Sequence, residues 1–308
     1  MNNITTLEKV FNRVDALSQN CFDQNVNVSD ISFENLNSVN IAGEHHPLRT
    51  IAQRSISWRL GIPFQYLRKC PPEIQSVNLN YWLEHEKNEA LFFRFDGREV
   101  RAIFTPKYKP VDNFEVCERL DSMGYGPDTQ VQCSLDPEFM SLSILDGKKS
   151  FEINGDKFKP GISISNSEIG LASLSIAAFI LRLICTNGMV SKSEISASYR
   201  HVSTKILDEF PKTMDKVSYE LGAQKQKIGL SMESSVDEPL KTIESFNRQF
   251  NLNQPQKEAV EWAWPQEMGD NMFAVVNTYT RASQFKGLSA ENSYHLQRVG
   301  GNILEMLN

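Results

Sequence analysis

A chain of 308 residues, 40% of them apolar, is long enough to bury about 75% of the surface its unfolded form exposes, as one large or two modest domains. Lys and Arg number 32 against 38 Asp and Glu, a formal charge of −6, which excludes a uniformly basic nucleic-acid coat and leaves only a local basic face open. Cys21, Cys70, Cys117, Cys133 and Cys185 are widely spaced, with no Cys-x-x-Cys pair or Cys/His cluster at zinc spacing, so they read as thiols of a reducing compartment.

The first residues lack a basic start followed by an apolar core, so no secretory signal is expected and the cytoplasm is the expected location. Leu7, Val10, Phe11, Val14 and Leu17 give helical spacing over 6–18, whereas 19–46, rich in Asn, Asp and Ser, reads as a partly extended arm. Two helices are expected between 47 and 87, interrupted at Pro63 and at Cys70-Pro71-Pro72, because proline removes an amide donor. Leu91 to Phe95, the turn Asp96-Gly97 and Val100 to Phe104 predict a β-hairpin. After a helix near 112–123, Val131 to Leu135, Met140 to Leu145 and Phe151 to Ile153, with turns at Asp146-Gly147 and Asn154-Gly155, predict an antiparallel meander.

Ser165, Asn166, Ser167 and Glu168 have the chemistry of a helix start, a long apolar run follows, and Asn187-Gly188 suits a helix stop, so the spacing predicts a buried central helix over 165–188. The run is too short and too interrupted to span a bilayer. Residues 194–219 read as two helices broken at Phe210-Pro211, and Pro255 opens a helix reaching Trp262 and Trp264. No repeat of solenoid period is present. The predicted class is α+β: a hairpin-rich antiparallel sheet in the first half packed by helices, the long central helix, and a mostly helical C-terminal part. The expected division is an N-terminal helix and arm over 1–46, a core domain over 47–190 and a helical region over 191–308.

The order Asn-Ser-Glu-Ile-Gly (166–170), an apolar run, then Arg-Leu-Ile-Cys-Thr-Asn-Gly-Met (182–189) resembles the signature of a family of phage- and plasmid-borne proteins known by a domain of unknown function. Ser57 to Pro63, Phe104 to Tyr108, Arg200-His201 and Asn277 to Thr280 fall in a similar order, so the resemblance spans roughly 40–290. It implies a mobile-element protein without fixing its chemistry. The hairpin-plus-helix layout also resembles phage annealing proteins of the Red beta and RecT type, which implies a curved sheet, backed by helices, holding one DNA strand in a basic groove.

From Arg49 to Cys70 the chain carries Arg54, Arg59, Arg68 and Lys69 and no acidic residue, interleaved with Trp58, Phe64 and Tyr66. Cations take phosphates and aromatic faces take bases, which is what a sequence-tolerant single-strand binder needs. The hairpin and its exit add Arg94, Arg98, Arg101, Lys107, Tyr108 and Lys109, and the two groups are expected to form the walls of one groove. Acidic residues at 73, 84, 86 and 89 lie between them.

Other candidates are weaker. Arg182 suits a structural role at the end of an apolar element, Cys185 with His201 is a poor nucleophile and base pair, and Glu44 with His45 and His46 lacks a second metal-ligating cluster. Glu99, Asp112, Glu115 and Asp136 show no two-metal spacing, and no phosphate-binding glycine loop is present. No catalytic residue, metal or cofactor is therefore assigned. The expected function is ATP-independent single-stranded DNA binding or strand annealing, as a homo-oligomer, in recombination or replication of a phage, prophage or plasmid. A phage exonuclease or a host single-strand-binding protein is a candidate partner, and no membrane is expected. The alternative is a non-enzymatic module that binds a host protein in defence or replication, anchored by Trp262 and Trp264, and a hydrolase is the third reading.

Overall fold

The computed structural model describes residues 4–146, 150–183, 187–190, 197–199, 212 and 221–307. The class is α+β: antiparallel strands run as far as Tyr199, and the described residues from Leu221 onward are mostly helical. Two compact units form, one of Asn12–Pro110 and one built on the residues from Val111 onward together with the N-terminal stretch to Phe11. Strand β1 (Ile4–Thr6) and helix α1 (Leu7–Ser18) open the chain, the helix confirming its apolar spacing by burying Leu7, Val10 and Val14.

In the unit of Asn12–Pro110, the stretch expected as an extended arm is folded sheet. Strand β2 (Cys21–Asn27) pairs with the first strand of the predicted hairpin, and β3 (Ile31–Asn35), β4 (Ser38–Ile41) and β5 (Glu44–Pro47) make a meander of their own. Helices α2 (Thr50–Arg59), α3 (Phe64–Leu67) and α4 (Pro72–Glu84) follow, then the hairpin β6 (Ala90–Asp96) and β7 (Glu99–Phe104). Alternation drives the packing: Leu91, Phe93 and Phe95 of β6 point into a core with Val100 and Ile103 of β7, Ala52 and Ile56 of α2, and Leu79 and Leu83 of α4. Buried Gln75 stitches this core together, its amide donating to the Leu67 and Cys70 carbonyls at 3.0 Å and accepting from the Leu36 amide at 2.9 Å.

The other unit is built on one large sheet. Its strands are β1, β8 (Gln130–Leu135), β9 (Met140–Leu145), β10 (Phe151–Ile153), β11 (Asp156–Asn166), β12 (Leu174–Arg182), β13 (Asn187–Val190) and β14 (Ala197–Tyr199). Their order is β1-β8-β9-β11-β12-β13, with β10 on β11 and β14 on β12. Helix α5 (Asn113–Ser122) precedes β8, and α6 (Leu221–Glu233), α7 (Pro239–Gln249), α8 (Gln254–Glu267), α9 (Met272–Ala282) and α10 (Ala290–Glu305) complete it. The helix pair expected over 194–219 lies outside the described residues, apart from strand β14 and position 212.

The central helix expected over 165–188 is not formed: the segment is the end of β11, a turn, and β12. The apolar run is continuous because β12 is covered on both faces. Ala177, Phe179 and Leu181 pack with Phe139, Ala290 and Tyr294, while Ile180 packs with Ile228, Val275 and Tyr279. The residues read as a helix cap are instead a fastening. Asn166 donates to the Val111 carbonyl (2.9 Å) and Asn113 Oδ1 (3.0 Å), Ser167 donates to the Glu138 carbonyl (2.8 Å), and Glu168 accepts from the Asn113 amide (2.8 Å). Cross-strand register puts Ser134, Ser141, Ser165 and Ser175 in one row of the sheet and Gln132, Ser143, Ser163 and Ala177 in the next. Gly161 on β11 is required by close approach, since a Cβ there would collide with the Ile144 carbonyl.

His295 on α10 sets a pH dependence for this unit. The Gln256 side chain accepts the Asn253 amide through Oε1, so its Nε2 faces His295 Nδ1 at 2.9 Å and the ring nitrogen accepts. Burial, and then the neighbouring Arg298, hold the imidazole below its ordinary value. The unfolded chain therefore binds a proton that the folded one resists, and stability is lost as pH falls below about 6.5. His295→Gln is expected to flatten the stability profile between neutral and mildly acidic pH in urea titrations; an unchanged slope would exclude His295 as its source.

Candidate nucleic-acid interface

Helix α2 turns Ala52, Ile56 and Ser57 inward, which leaves Arg54 and Trp58, one turn apart, on the outer face. Trp58 is 84% exposed. Across from them, α3 presents Phe64, partly buried, with the Arg54 and Arg68 guanidiniums 5.5 and 5.8 Å from its ring centre. Tyr66, Arg68 and Lys69 are exposed on α3 and its exit. Arg54, Arg68 and Lys69 make no ion pair among the described residues, so their charges face solvent.

The remaining arginines are committed elsewhere. Arg59 donates to Glu86 at 2.7 Å. Burial opposes ionisation of that carboxyl, but hydrogen bonds from Asn88 and Arg59 prevail and hold it below the usual range. Arg49 is forked between Glu99 (2.7 Å) and Asp96 (2.6 Å); burial works against its charge, and the two carboxylates outweigh it and raise its pKa. Arg94 is 1% exposed and grips Asp23 with Nε and Nη2 at 2.9 and 3.1 Å. Arg101 is 4% exposed: pairing jumps from Arg94 with Ala102 to Phe95 with Val100, leaving Arg101 as the extra residue of a β-bulge. Arg98, in the hairpin turn, reaches the His45 carbonyl at 3.3 Å.

Lys107 and Lys109 are exposed, but the expected two-walled groove does not form. Tyr108 stacks on Phe104 at 3.9 Å and lies 5.8 Å from Phe92 and 6.0 Å from Arg94. Phe92, Arg94 and Phe104 are on the sheet face opposite Phe93, Phe95 and Ile103, against which α2 packs. Lys107, Tyr108 and Lys109 therefore leave the sheet on the side away from Arg54, Trp58 and Arg68.

The weaker candidates have structural partners. Glu99 holds Arg49, Glu115 accepts the Asp112 amide at the start of α5, and Asp136 accepts the Glu138, Phe139 and Ala290 amides. Arg182 bridges Asp156 and Glu267. His45 pairs with Glu34, and the His46 ring meets the Arg98 carbonyl at 3.0 Å. Burial pushes the Cys117 thiol up to about 12, far from a thiolate nucleophile. Cys185 and His201 lie outside the described residues. Trp264 is packed in the helical core, while Trp262 is 39% exposed with Arg281 5.8 Å from its ring. Among the described residues no group of three or more His, Cys, Asp or Glu could hold a metal ion, and no helix is long and apolar enough to cross a membrane.

One feature escaped the sequence reading: α4 exposes Ile74, Val77, Tyr81 and Trp82. It had a legible signal, because α4 carries apolar residues all round and only one stripe of them can face the core. No protein-family model, curated protein or solved structure matches the chain.

Proposed function

We propose that the chain binds single-stranded DNA without energy coupling, through the α2–α3 face, and that this binding serves strand annealing. The observation that carries the reading is Trp58, 84% exposed on the face that also carries Arg54, Arg68 and Lys69, which make no ion pair among the described residues. An exposed indole of this kind is a stacking platform for a base, and Arg54, Arg68 and Lys69 would neutralise the adjacent phosphates. Tyr66, 48% exposed, offers a second ring. Stacking on ring faces and neutralising phosphates carry no base-edge readout, so the binding is sequence-tolerant.

The test is fluorescence anisotropy of a labelled single-stranded oligonucleotide beside a duplex of equal length, at low and moderate salt. Trp58→Ala is expected to weaken single-strand binding by ~1–3 kcal/mol. Arg54→Ala with Arg68→Ala should reduce the slope of log K against log salt by about 1.4, roughly 0.7 for each lost phosphate contact. No binding at micromolar protein in low salt, or binding indifferent to Trp58, would sink the reading. A protein-binding role is the second reading, favoured by the exposed apolar side chains of α4.

A further inference from the structure

Helix α4 has two apolar sides. Gln75, Leu79 and Leu83 form the side turned to the core. On the outer side Ile74, Val77 and Tyr81 are 43, 65 and 54% exposed, spaced three and then four residues apart, the interval of a helix seam that meets another surface. Trp82, 47% exposed, extends the stripe, its ring 5.3 Å from that of Tyr81. Single exposed apolar side chains need no explanation, but a run of them over successive turns of one helix marks a docking surface.

Charge identifies the occupant. The charged residues of α4 are acidic, Glu73 in its first turn and Glu84 in its last, and neither makes an ion pair among the described residues. The α2–α3 face is the reverse, with Arg54 one turn from the projecting Trp58, Arg54 and Arg68 beside the Phe64 ring, and Lys69 exposed at the exit of α3. Among the described residues of Asn12–Pro110, every exposed large apolar side chain except Phe22 falls on one of these two faces. One face is acidic and aliphatic-aromatic, the other basic and aromatic, and both belong to one unit. Complementary patches at different places on the same chain give heterologous contacts, which propagate from copy to copy.

We propose that copies of this chain associate head to tail, the α4 face of one docking on the α2–α3 face of the next. Glu73 and Glu84 meet the cations of the neighbouring copy, and Trp58 packs on the stripe of Ile74, Val77 and Tyr81. The contact uses the face proposed for DNA but stands without that reading. Where both hold, single-stranded DNA competes with the α4 of a neighbour, and excess oligonucleotide disassembles the chain of copies.

The test is mass photometry and sedimentation velocity on nuclease-treated protein, from low to high micromolar, so that assembly is read apart from DNA binding. Val77→Asp removes one face and Arg68→Glu the other; both residues are exposed, and circular dichroism like that of the unsubstituted protein confirms folding. Each variant alone is expected to stay monomeric at concentrations where the unsubstituted protein assembles. An equimolar mixture should give one-to-one dimers and nothing larger, because each variant retains the face the other lacks. A monomeric unsubstituted protein, a single variant that still assembles, or a mixture that stays monomeric would overturn the proposal.

Discussion

Arg182→Met is expected to lower the stability of the sheet-and-helix unit by about 4 kcal/mol, the cost of stripping a buried ion pair of its cation. Arg182 is 15% exposed, Asp156 13% and Glu267 6%. The guanidinium donates to Asp156 through Nε and Nη2 at 3.0 Å and to Glu267 through Nη1 at 3.0 Å, and sits 5.0 Å from the Phe273 ring. It thereby ties the end of β12 to the start of β11 and the last turn of α8. Methionine keeps much of the stem volume, so the loss reports charge: two carboxylates remain in poor solvent without the guanidinium between them. Glu267→Gln leaves the Asp156 fork intact and should cost only about 1.5 kcal/mol. The exposed pair of Glu244 and Arg248, 66 and 72% accessible, should contribute roughly 0.5 kcal/mol or less. Hydrogen exchange of the β11 and β12 amides reads the loss locally, which a protein of two units requires because it need not melt in one step. Exchange unaltered by Arg182→Met would show that the three charges are solvated.

What the sequence made legible depended on range. Hairpin β6–β7 and the turn from β10 into β11 announced themselves because Asp96-Gly97 and Asn154-Gly155 sit inside short apolar runs and turn chemistry is local, whereas β9 and β10 both pair with β11 rather than following one another in the expected meander. The 165–182 segment misled because Leu174 to Arg182 is buried on both faces, and a run covered on both sides has no period to read. The better signal lay just upstream, in the two-residue alternation of Ile162-Ser163-Ile164-Ser165. Among the expected binding residues, Arg54, Trp58, Arg68 and Lys69 are exposed and lie close together in sequence. The commitment of the other arginines was not legible, since Asp23 lies 71 residues from Arg94 and Glu86 lies 27 from Arg59. Trp262 and Trp264 differ by two positions, a helix rotation of about 200°, and so one faces outward and the other joins the core.

Arg94→Ala is expected to destabilise the unit of Asn12–Pro110 by about 3 kcal/mol, short of the full penalty of a broken buried pair because Asp23 keeps 25% of its side-chain exposure. Arg94 is the largest fully buried side chain among the described residues, and its fork joins β2 to β6 while its guanidinium approaches Tyr108. Replacement by Lys restores the charge but not the two parallel bonds, and should recover less than half of the loss. Asp23→Asn removes the charge that faces a buried cation, so the two single losses should together exceed that of the double variant, with a coupling of ~1–3 kcal/mol in the double-mutant cycle. The result decides how any binding data are to be read. A loss of DNA affinity on replacing Arg94 or Arg101 would follow from a loosened sheet, whereas Arg54→Ala and Arg68→Ala alter exposed side chains. If hydrogen exchange of β6 and β7 accelerates with Arg94→Ala and stays unchanged with Arg54→Ala and Arg68→Ala, affinity lost in the second pair belongs to the interface. Unaltered exchange with Arg94→Ala would return the hairpin to the list of binding surfaces.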